Sequence, residues 1–253
     1  MTWLRLRQIA LVARDLDPVV DDIQAVLGLE VGYRDPEIHR LGLRNAVIPV
    51  GSEFLEVLSP ITEDAPANRY LARRGDGGYM VITQCDDHPP RRARVEQLGI
   101  RIVGQFDDEG FTDIQLHPAD TGGSFLEIDE QEGGEYPSGP WSPAGPDWHQ
   151  AVRTDVVSAI TGAEIQCADP AKVASRWSEI VELPVEDRDG TPALALENAA
   201  LRFVPVTDGR GEGLGGIDVR VVDADRLRAA ADQRGVRVAD DHVMVGGLRV
   251  YMR

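Results

Sequence analysis

Hydrophobic and polar positions along the chain follow a pattern that first appears in residues 4–60. An apolar run up to Ala13 predicts a buried strand, and the apolar residues that follow recur at helical spacing until Gly28. Asp17 and Pro18 are residue types that favour the N-cap and the first position of this helix. Three apparent strands come next, at residues 30–34, 43–50 and 53–60. The segment is therefore predicted to be a strand, a helix and three strands, a βαβββ module.

The same pattern returns three more times. A second copy occupies residues 77–129, after a short helical segment at 67–75. In the second half of the chain, Val173, Trp177, Ile180 and Val181 repeat the helical positions Val19, Ile23, Val26 and Leu27 at one constant offset. Asp223 likewise falls on Asp87 when residues 216–238 are laid over the second copy. Four copies of one module, arranged as two pairs, predict an α+β protein.

Residues 132–150 interrupt this periodicity. Their density of Gly, Pro and Ser is typical of a linker. Trp141 and Trp148 lie inside it, and we expect them either to hold the segment on a surface or to reach over a ligand. We therefore predict a first domain at residues 1–131, a Pro/Gly-rich linker at 132–154 and a second domain at 155–253.

Composition and charge narrow the classes of partner. The 253 residues carry a formal net charge of −17, and no Lys/Arg cluster interrupts the acidic background. Nucleic acids and anionic membranes attract basic surfaces, so neither is an expected partner. Cys85 and Cys167 lie in apparent strands and are expected to be buried, reduced thiols. Without a signal-peptide cleavage pattern or a long apolar window, we expect a cytoplasmic protein that takes a small-molecule substrate.

Three segments of the first half resemble a known family. Residues 54–78, 96–103 and 116–129, in that order, are similar to methylmalonyl-CoA epimerases of the vicinal oxygen chelate superfamily, which also includes glyoxalase I and bleomycin-binding proteins. The resemblance covers about residues 5–130, and the second half is similar only in its repeat pattern. It implies two paired glyoxalase-like cups, the first functional and the second degenerate. It also implies either a monomer built as a pseudo-dimer or a homodimer.

The resemblance assigns four inward positions of the first cup to Gln8, Glu56, Met80 and Glu127. In many relatives these positions hold one divalent metal ion, but the thioether of Met80 is a poor ligand in a carboxylate site. The expected cofactor is therefore either none or one weakly bound divalent ion on Gln8, Glu56 and Glu127. Without a metal, both glutamates would contact the substrate directly, beside Gln8 and Met80. By the same resemblance, Glu37 is a further candidate acid or base.

The corresponding positions of the second half have a different chemistry. They are Gly162, Arg202, Gly216 and, across a shortened hairpin, Tyr251. Two of these positions have no ligating side chain and one is cationic, so this half is not expected to bind a cation as the relatives do. Arg202 could pair with Glu164, pair with Glu197 or receive an anionic group, and of these we expect a structural role.

Two functions remain open at this point. The first is an enzyme that removes a proton beside a carbonyl group, of the isomerase, epimerase or lyase type, with Glu56 or Glu127 as the base. The second is a metal-free protein of the same fold that binds or sequesters a small molecule. Binding cups of that kind are often lined by aromatic residues, and aromatic residues make up only 6% of this chain, which favours the enzyme.

Overall fold

A computed structural model describes residues 3–108 and 110–253. Its first seven strands are β1 (Leu4–Val12), β2 (Leu43–Val50), β3 (Glu53–Pro60), β4 (Gly77–Cys85), β5 (Ile102–Asp108), β6 (Phe111–Leu116) and β7 (Phe125–Gln131). The others are β8 (Val157–Cys167), β9 (Val185–Arg188), β10 (Thr191–Ala195), β11 (Ala200–Pro205), β12 (Gly213–Val221), β13 (His242–Val245) and β14 (Leu248–Met252). The helices are α1 (Leu16–Leu27), α2 (Pro66–Arg74), α3 (His88–Gln97), α4 (Pro118–Thr121), α5 (Pro170–Val181) and α6 (Ala224–Arg234). Short 3-10 turns lie at Ile38–Leu41, Ser142–Ala144 and Trp148–Ala151.

The strands form two seven-stranded mixed sheets, one from each half of the chain. The first sheet has the order β2-β3-β1-β4-β7-β6-β5, and the second has the order β13-β14-β12-β8-β11-β10-β9. In both sheets the strand before a module's helix pairs in parallel with the last strand of that module, as β1 does with β3 and β8 with β11. This arrangement confirms the predicted α+β class with two pairs of modules.

The strand predicted at residues 30–34 is wrong. This stretch forms a single bridge between Tyr33 and Val47, so the first sheet has seven strands. Gly32 and Tyr33 both donate their backbone N–H groups to the Val47 carbonyl. The next pair in the ladder would place Val31 opposite Pro49, and proline has no N–H to donate. In the fourth module, the stretch that follows helix α6 likewise forms only a single bridge, between Val238 and Val243, in place of a strand.

The helices support the repeat, with one corrected boundary. Helix α1 begins at Leu16 with Asp15 as its N-cap, two residues earlier than the predicted start, and it ends at Gly28 as predicted, with φ 68°. The apolar positions matched between α1 and α5 are all buried. The matched aspartates Asp87 and Asp223 are the N-cap residues of α3 and α6.

Strand register confirms the matching of positions between the halves. In the first sheet Ala10 of β1 lies opposite Glu56, and in the second sheet Glu164 of β8 lies opposite Arg202. The other pair of parallel strands agrees, since Ile82 opposes Glu127 in the first sheet and Asp218 opposes Tyr251 in the second. Arg202 and Tyr251 therefore occupy the positions of the two glutamates.

The chain divides into two compact units. Of the described residues, the first unit contains 3–7, 79–108, 110–140 and 162–215. Inside it α3 lies beside α5, and the Arg91 guanidinium donates to the Val181 carbonyl at 2.7 Å. The buried Trp177 ring packs edge-on against Phe203 with ring centres 5.6 Å apart. Arg5 and Arg7, also buried, donate to backbone carbonyls of residues 134–139.

The second unit contains residues 8–78, 141–161 and 216–253. In this unit α1 packs against α6, and Arg234 forms an ion pair with Asp22. Trp148 is buried and packs edge-on against Phe54 at 5.0 Å. The division of the chain into domains at 1–131 and 155–253 remains a prediction. Within the described residues, no helix is long and apolar enough to span a membrane.

Candidate functional site

Gln8 and Glu56 form the centre of a buried hydrogen-bond network in the second unit. Gln8 lies on β1 and Glu56 on β3, and the Gln8 amide nitrogen donates to Glu56 Oε2 at 2.9 Å. Their exposed fractions are 2% and 8%. The structure thus brings together two of the four positions that the resemblance assigned.

Asn45 and Trp141 complete this network. The Asn45 amide nitrogen donates to Glu56 Oε1 at 2.7 Å, and the indole N–H of Trp141 donates to Gln8 Oε1 at 2.9 Å. The Asn45 oxygen accepts the backbone N–H of Asp35 at 2.9 Å. An indole N–H and a backbone N–H can only donate, so they fix the orientation of both amides. Both oxygens of Glu56 therefore face N–H groups, an arrangement that favours an ionised carboxylate.

Opposing effects act on the protonation of Glu56. Burial raises the pKa of Glu56 above its ordinary value and is the largest effect, while the hydrogen bonds from Asn45 and Gln8 lower it. The negative charge of Asp35 adds a smaller increase in this pKa. Glu56 is therefore a carboxylate with raised proton affinity that keeps two donors, as a general base requires.

Met80 and Glu127 belong to the first unit. They lie on the paired strands β4 and β7, where Met80 opposes Phe125 and Ile82 opposes Glu127. Both side chains are buried, with exposed fractions of 7% and 6%. The backbone carbonyl of Glu127 accepts the Thr83 hydroxyl at 2.8 Å.

Glu127 is part of a cluster of buried acids. Asp129 follows it on the same face of β7 and lies directly opposite Asp113 of β6. The pKa of Asp129 is raised well above its ordinary value, first by complete burial and then by the negative charges of Glu127 and Asp113. Burial likewise raises the pKa of Asp113 to about 6. Within this cluster, burial and the neighbouring acids favour the protonated form of Asp129.

Glu37 lies at the surface. It precedes the 3-10 turn at Ile38–Leu41 and pairs with Arg40, and both side chains are more than half exposed. Its backbone N–H is donated to the Asp35 carboxylate at 2.8 Å. The catalytic role assigned to Glu37 by resemblance stays a prediction.

The network does not fit a metal ion in the arrangement described. A metal at these positions would use Gln8 Oε1 and an oxygen of Glu56, and each of these oxygens accepts an N–H of the protein. In residues 3–108 and 110–253, no group of three or more His, Cys, Asp or Glu side chains is placed to hold a metal ion. The prediction of no metal or one weakly bound ion is untested.

The second half carries an ion pair at the matched position. Arg202 donates to Glu164 at 2.9 Å, as expected from the sequence, and Glu164 is buried. In the second half the acid, Glu164, therefore lies on β8, and the Arg202 guanidinium on β11 occupies the position that Glu56 has in the first half.

Sequence reasoning missed Asn45 and Asp129. Asp129 follows Glu127 at the spacing that places two side chains on one face of a strand, and Asn45 directly precedes the run of residues 46–50. A second acid at that spacing was the available signal for Asp129, and a polar residue at the start of a buried run was the signal for Asn45. Trp141 was noted in the linker, but its partner Gln8 is distant in the sequence.

Comparison with known proteins gives one family and one fold. The model of the family described as "Glyoxalase-like domain" matches residues 9–181. A hypothetical protein from Staphylococcus aureus has a similar structure, with a TM-score of 0.65 and 13% identity over 99% of this chain and 98% of the other. A methylmalonyl-CoA epimerase variant from Streptomyces coelicolor, solved with 2-nitronate-propionyl-CoA, is 24% identical over 50% of this chain and 96% of its own, with a TM-score of 0.46. An uncharacterised Bacillus subtilis protein, YqjC, is 21% identical over 52% of this chain and 96% of its own length.

Proposed function

Because the chain belongs to the glyoxalase-like domain family, we propose that it is an enzyme that transfers a proton at a carbon beside a carbonyl group, with Glu56 as the base. The observation that carries this proposal is the orientation of both Asn45 and Gln8 amides toward the carboxylate of Glu56. A buried carboxylate without such donors would be neutral, and an exposed one would be a weaker base.

The expected reaction is the removal of a proton from carbon by Glu56, followed by protonation of the same carbon. Glu56 takes the proton of a C–H bond beside a carbonyl, and the electron pair of that bond forms an enolate. The proton held by Glu56 exchanges with solvent, and a solvent-derived proton is then delivered to the carbon. A carboxylate has about four lone-pair positions, and the two amides use two of them, so acceptor capacity remains for the substrate proton. Asn45 and Gln8 position the base, and Trp141 fixes Gln8 through its indole N–H.

The experiment is hydrogen–deuterium exchange of small carbonyl compounds in D2O, followed by proton NMR. A panel of malonic half-thioesters, 2-hydroxy ketones and 2-oxo acids samples the substrate class. The wild type should exchange the C–H of at least one compound, and Glu56→Gln should slow this exchange by about 100-fold or more. The rate should rise with pH through a pKa above the ordinary value for glutamate, because the ionised carboxylate is the base.

Matched substitutions separate catalysis from binding. Glu63→Gln removes an exposed carboxylate of the same unit and should leave exchange unchanged. Glu127→Gln and Glu37→Gln test the other two candidate bases. Tight binding of a panel compound without any exchange would instead support the alternative, a metal-free binding protein. Exchange that survives Glu56→Gln in a folded protein would refute Glu56 as the base.

A further inference from the structure

A cavity of about 850 Å³ lies in the first unit, and its lining residues do not include those assigned to proton transfer. Its walls come from the N-terminal end of α3, strands β5 and β6 and residues 130–133 and 135, together with Trp3. We call it the α3 cavity. Its volume is sufficient for a drug-sized molecule.

Carboxylates dominate the charge of the α3 cavity. Five acids line it: Asp86, Asp107, Glu130, Glu132 and Glu135. Arg92 also lines it, but its guanidinium pairs with Glu96 at 3.1 Å and donates to Gln105 at 2.9 Å. Among the described residues, Asp86, Glu132 and Glu135 enter no ion pair. The cavity therefore has uncompensated negative charge.

Two aromatic side chains stand among these acids. Phe106 lines the cavity with 51% of its surface exposed, which is high for a phenylalanine. Trp3 also lines it, and the Arg5 guanidinium lies 3.9 Å from the centre of the Trp3 ring. Aromatic faces attract organic cations and cover methylene groups. Together with the carboxylates, they favour a ligand that is both cationic and partly apolar.

His88 adds a directional group. It is the first residue of α3 and lines the cavity, with only 3% of its surface exposed. Its ring hydrogen-bonds the backbone of Ile128, whereas Nε2 has no hydrogen-bond partner among the described residues. Burial lowers the pKa of His88, so the ring is neutral near pH 7, and a ring N–H given to the Ile128 carbonyl leaves a lone pair on Nε2. This buried acceptor requires an N–H donor.

We propose that the α3 cavity binds an organic cation that carries N–H groups, a protonated alkylamine or polyamine, with His88 Nε2 accepting one ammonium N–H. Glu132 and Glu135 compensate the ligand charge, and Phe106 contacts its methylene chain. The acids are spread over the wall and do not converge on one point, since no three of the described His, Cys, Asp or Glu side chains are placed to hold a metal ion. An extended cation therefore fits better than a single metal ion. This site does not depend on the proposed proton transfer.

Calorimetric titration with 1,4-diaminobutane and spermidine tests the proposal. We expect dissociation constants below about 1 mM at low salt, weakening as ionic strength rises. The comparison compound is the hexamethyl bis-quaternary analogue of 1,4-diaminobutane, which has the same charge and chain but no N–H. The diamine should bind more tightly than this analogue, and His88→Leu should remove that preference. The preference is a ratio within one protein, so it remains measurable if the variant is less stable.

A charge-matched pair of variants separates the site from the general acidity of the protein. Glu132→Gln with Glu135→Gln should weaken diamine binding about three- to tenfold, because two exposed carboxylates are lost. Glu63→Gln with Asp64→Asn removes the same charge from an exposed segment of the second unit and should leave binding unchanged.

Four results would each overturn the proposal. They are dissociation constants above about 1 mM for both amines, equal weakening by the two double variants, equal affinity for the diamine and its quaternary analogue, and displacement of the diamine by stoichiometric Mg²⁺, Ca²⁺ or Zn²⁺. The last result would indicate a metal site.

Discussion

Glu56 illustrates how hydrogen-bond direction determines the state of a single residue. Neither Asn45 nor Gln8 has an intrinsic preference for which end of its amide faces a carboxylate. The preference comes from Asp35 and Trp141, whose N–H groups occupy the two amide oxygens. A glutamine at position 56 would place one amide nitrogen against another, so Glu56→Gln removes more than the charge. This is why its effect on stability has to be measured beside its effect on exchange.

Asp113 gives the pH dependence of stability at the scale of one residue. Its pKa is raised to about 6 in the folded protein, so the folded state holds this proton more strongly than the unfolded chain does. The contribution to stability is therefore complete below the unfolded pKa near 4 and is lost as pH rises to about 6. Asp113→Asn should remove this loss and, allowing for solvent screening, raise the free energy of unfolding by about 1–2 kcal/mol at about pH 8.

Urea unfolding at about pH 4, 6 and 8 measures this difference. Asp64→Asn, at an exposed position, is the control and should not alter the slope. If Asp113→Asn leaves the loss of stability between pH 4 and 6 unchanged, the titration belongs to other members of the acid cluster, with Asp129 the first candidate.

At the scale of elements, the regular parts of the fold are predictable from the sequence. Strands β2 and β3 have the predicted bounds because their apolar runs end in turn residues. The strand expected at 30–34 has strand-forming residues, but its pairing depends on what stands opposite. Pro49 is more than a dozen residues away, and its missing N–H stops the ladder after one bridge. Local propensity contains no information about such a partner.

The ends of α1 and α6 provide a matched prediction about helix termini. Gly28 and Gly235 both have φ 68°, a left-handed conformation that costs other residues about 1–2 kcal/mol. A Cβ on Gly28 would lie 2.5 Å from Val156 Cγ2, whereas a Cβ on Gly235 would meet nothing within 4 Å. Gly235→Ala should therefore cost about 1 kcal/mol and Gly28→Ala about 3 kcal/mol in the free energy of unfolding.

Repeating Gly28→Ala in a Val156→Ala background removes the methyl group at 2.5 Å and leaves only the Cβ of residue 156, at 2.9 Å. The cost of Gly28→Ala should fall there toward that of Gly235→Ala. Equal costs for the two glycines in the wild-type background would show that helix α1 shifts enough to relieve the contact.

For the whole molecule, the repeat predicted the positions of the candidate site but not its partners. Register places Arg202 and Tyr251 at the positions of Glu56 and Glu127, as the sequence match implied. Glu56 accepts N–H groups from Asn45 and Gln8, and Gln8 is oriented by Trp141 in the linker, a segment with no counterpart in the repeat. Repetition therefore predicts where a position lies, and contacts distant in sequence decide what it can do.

The same asymmetry between the halves gives a last prediction. Glu164 is buried beside the Arg202 guanidinium, so Arg202→Met removes the cation from a buried carboxylate. Since Arg202 is partly exposed, we expect a loss of about 2–4 kcal/mol in the free energy of unfolding. Arg202→Met with Glu164→Gln should recover most of it, because the uncompensated charge is then absent.

Proton exchange per folded molecule should be unchanged in both variants, in contrast to Glu56→Gln. Urea unfolding and the NMR exchange assay measure the two effects separately. Loss of exchange in a stably folded Arg202→Met protein would mean that the second half carries the chemistry and that Glu56 has been assigned the wrong role.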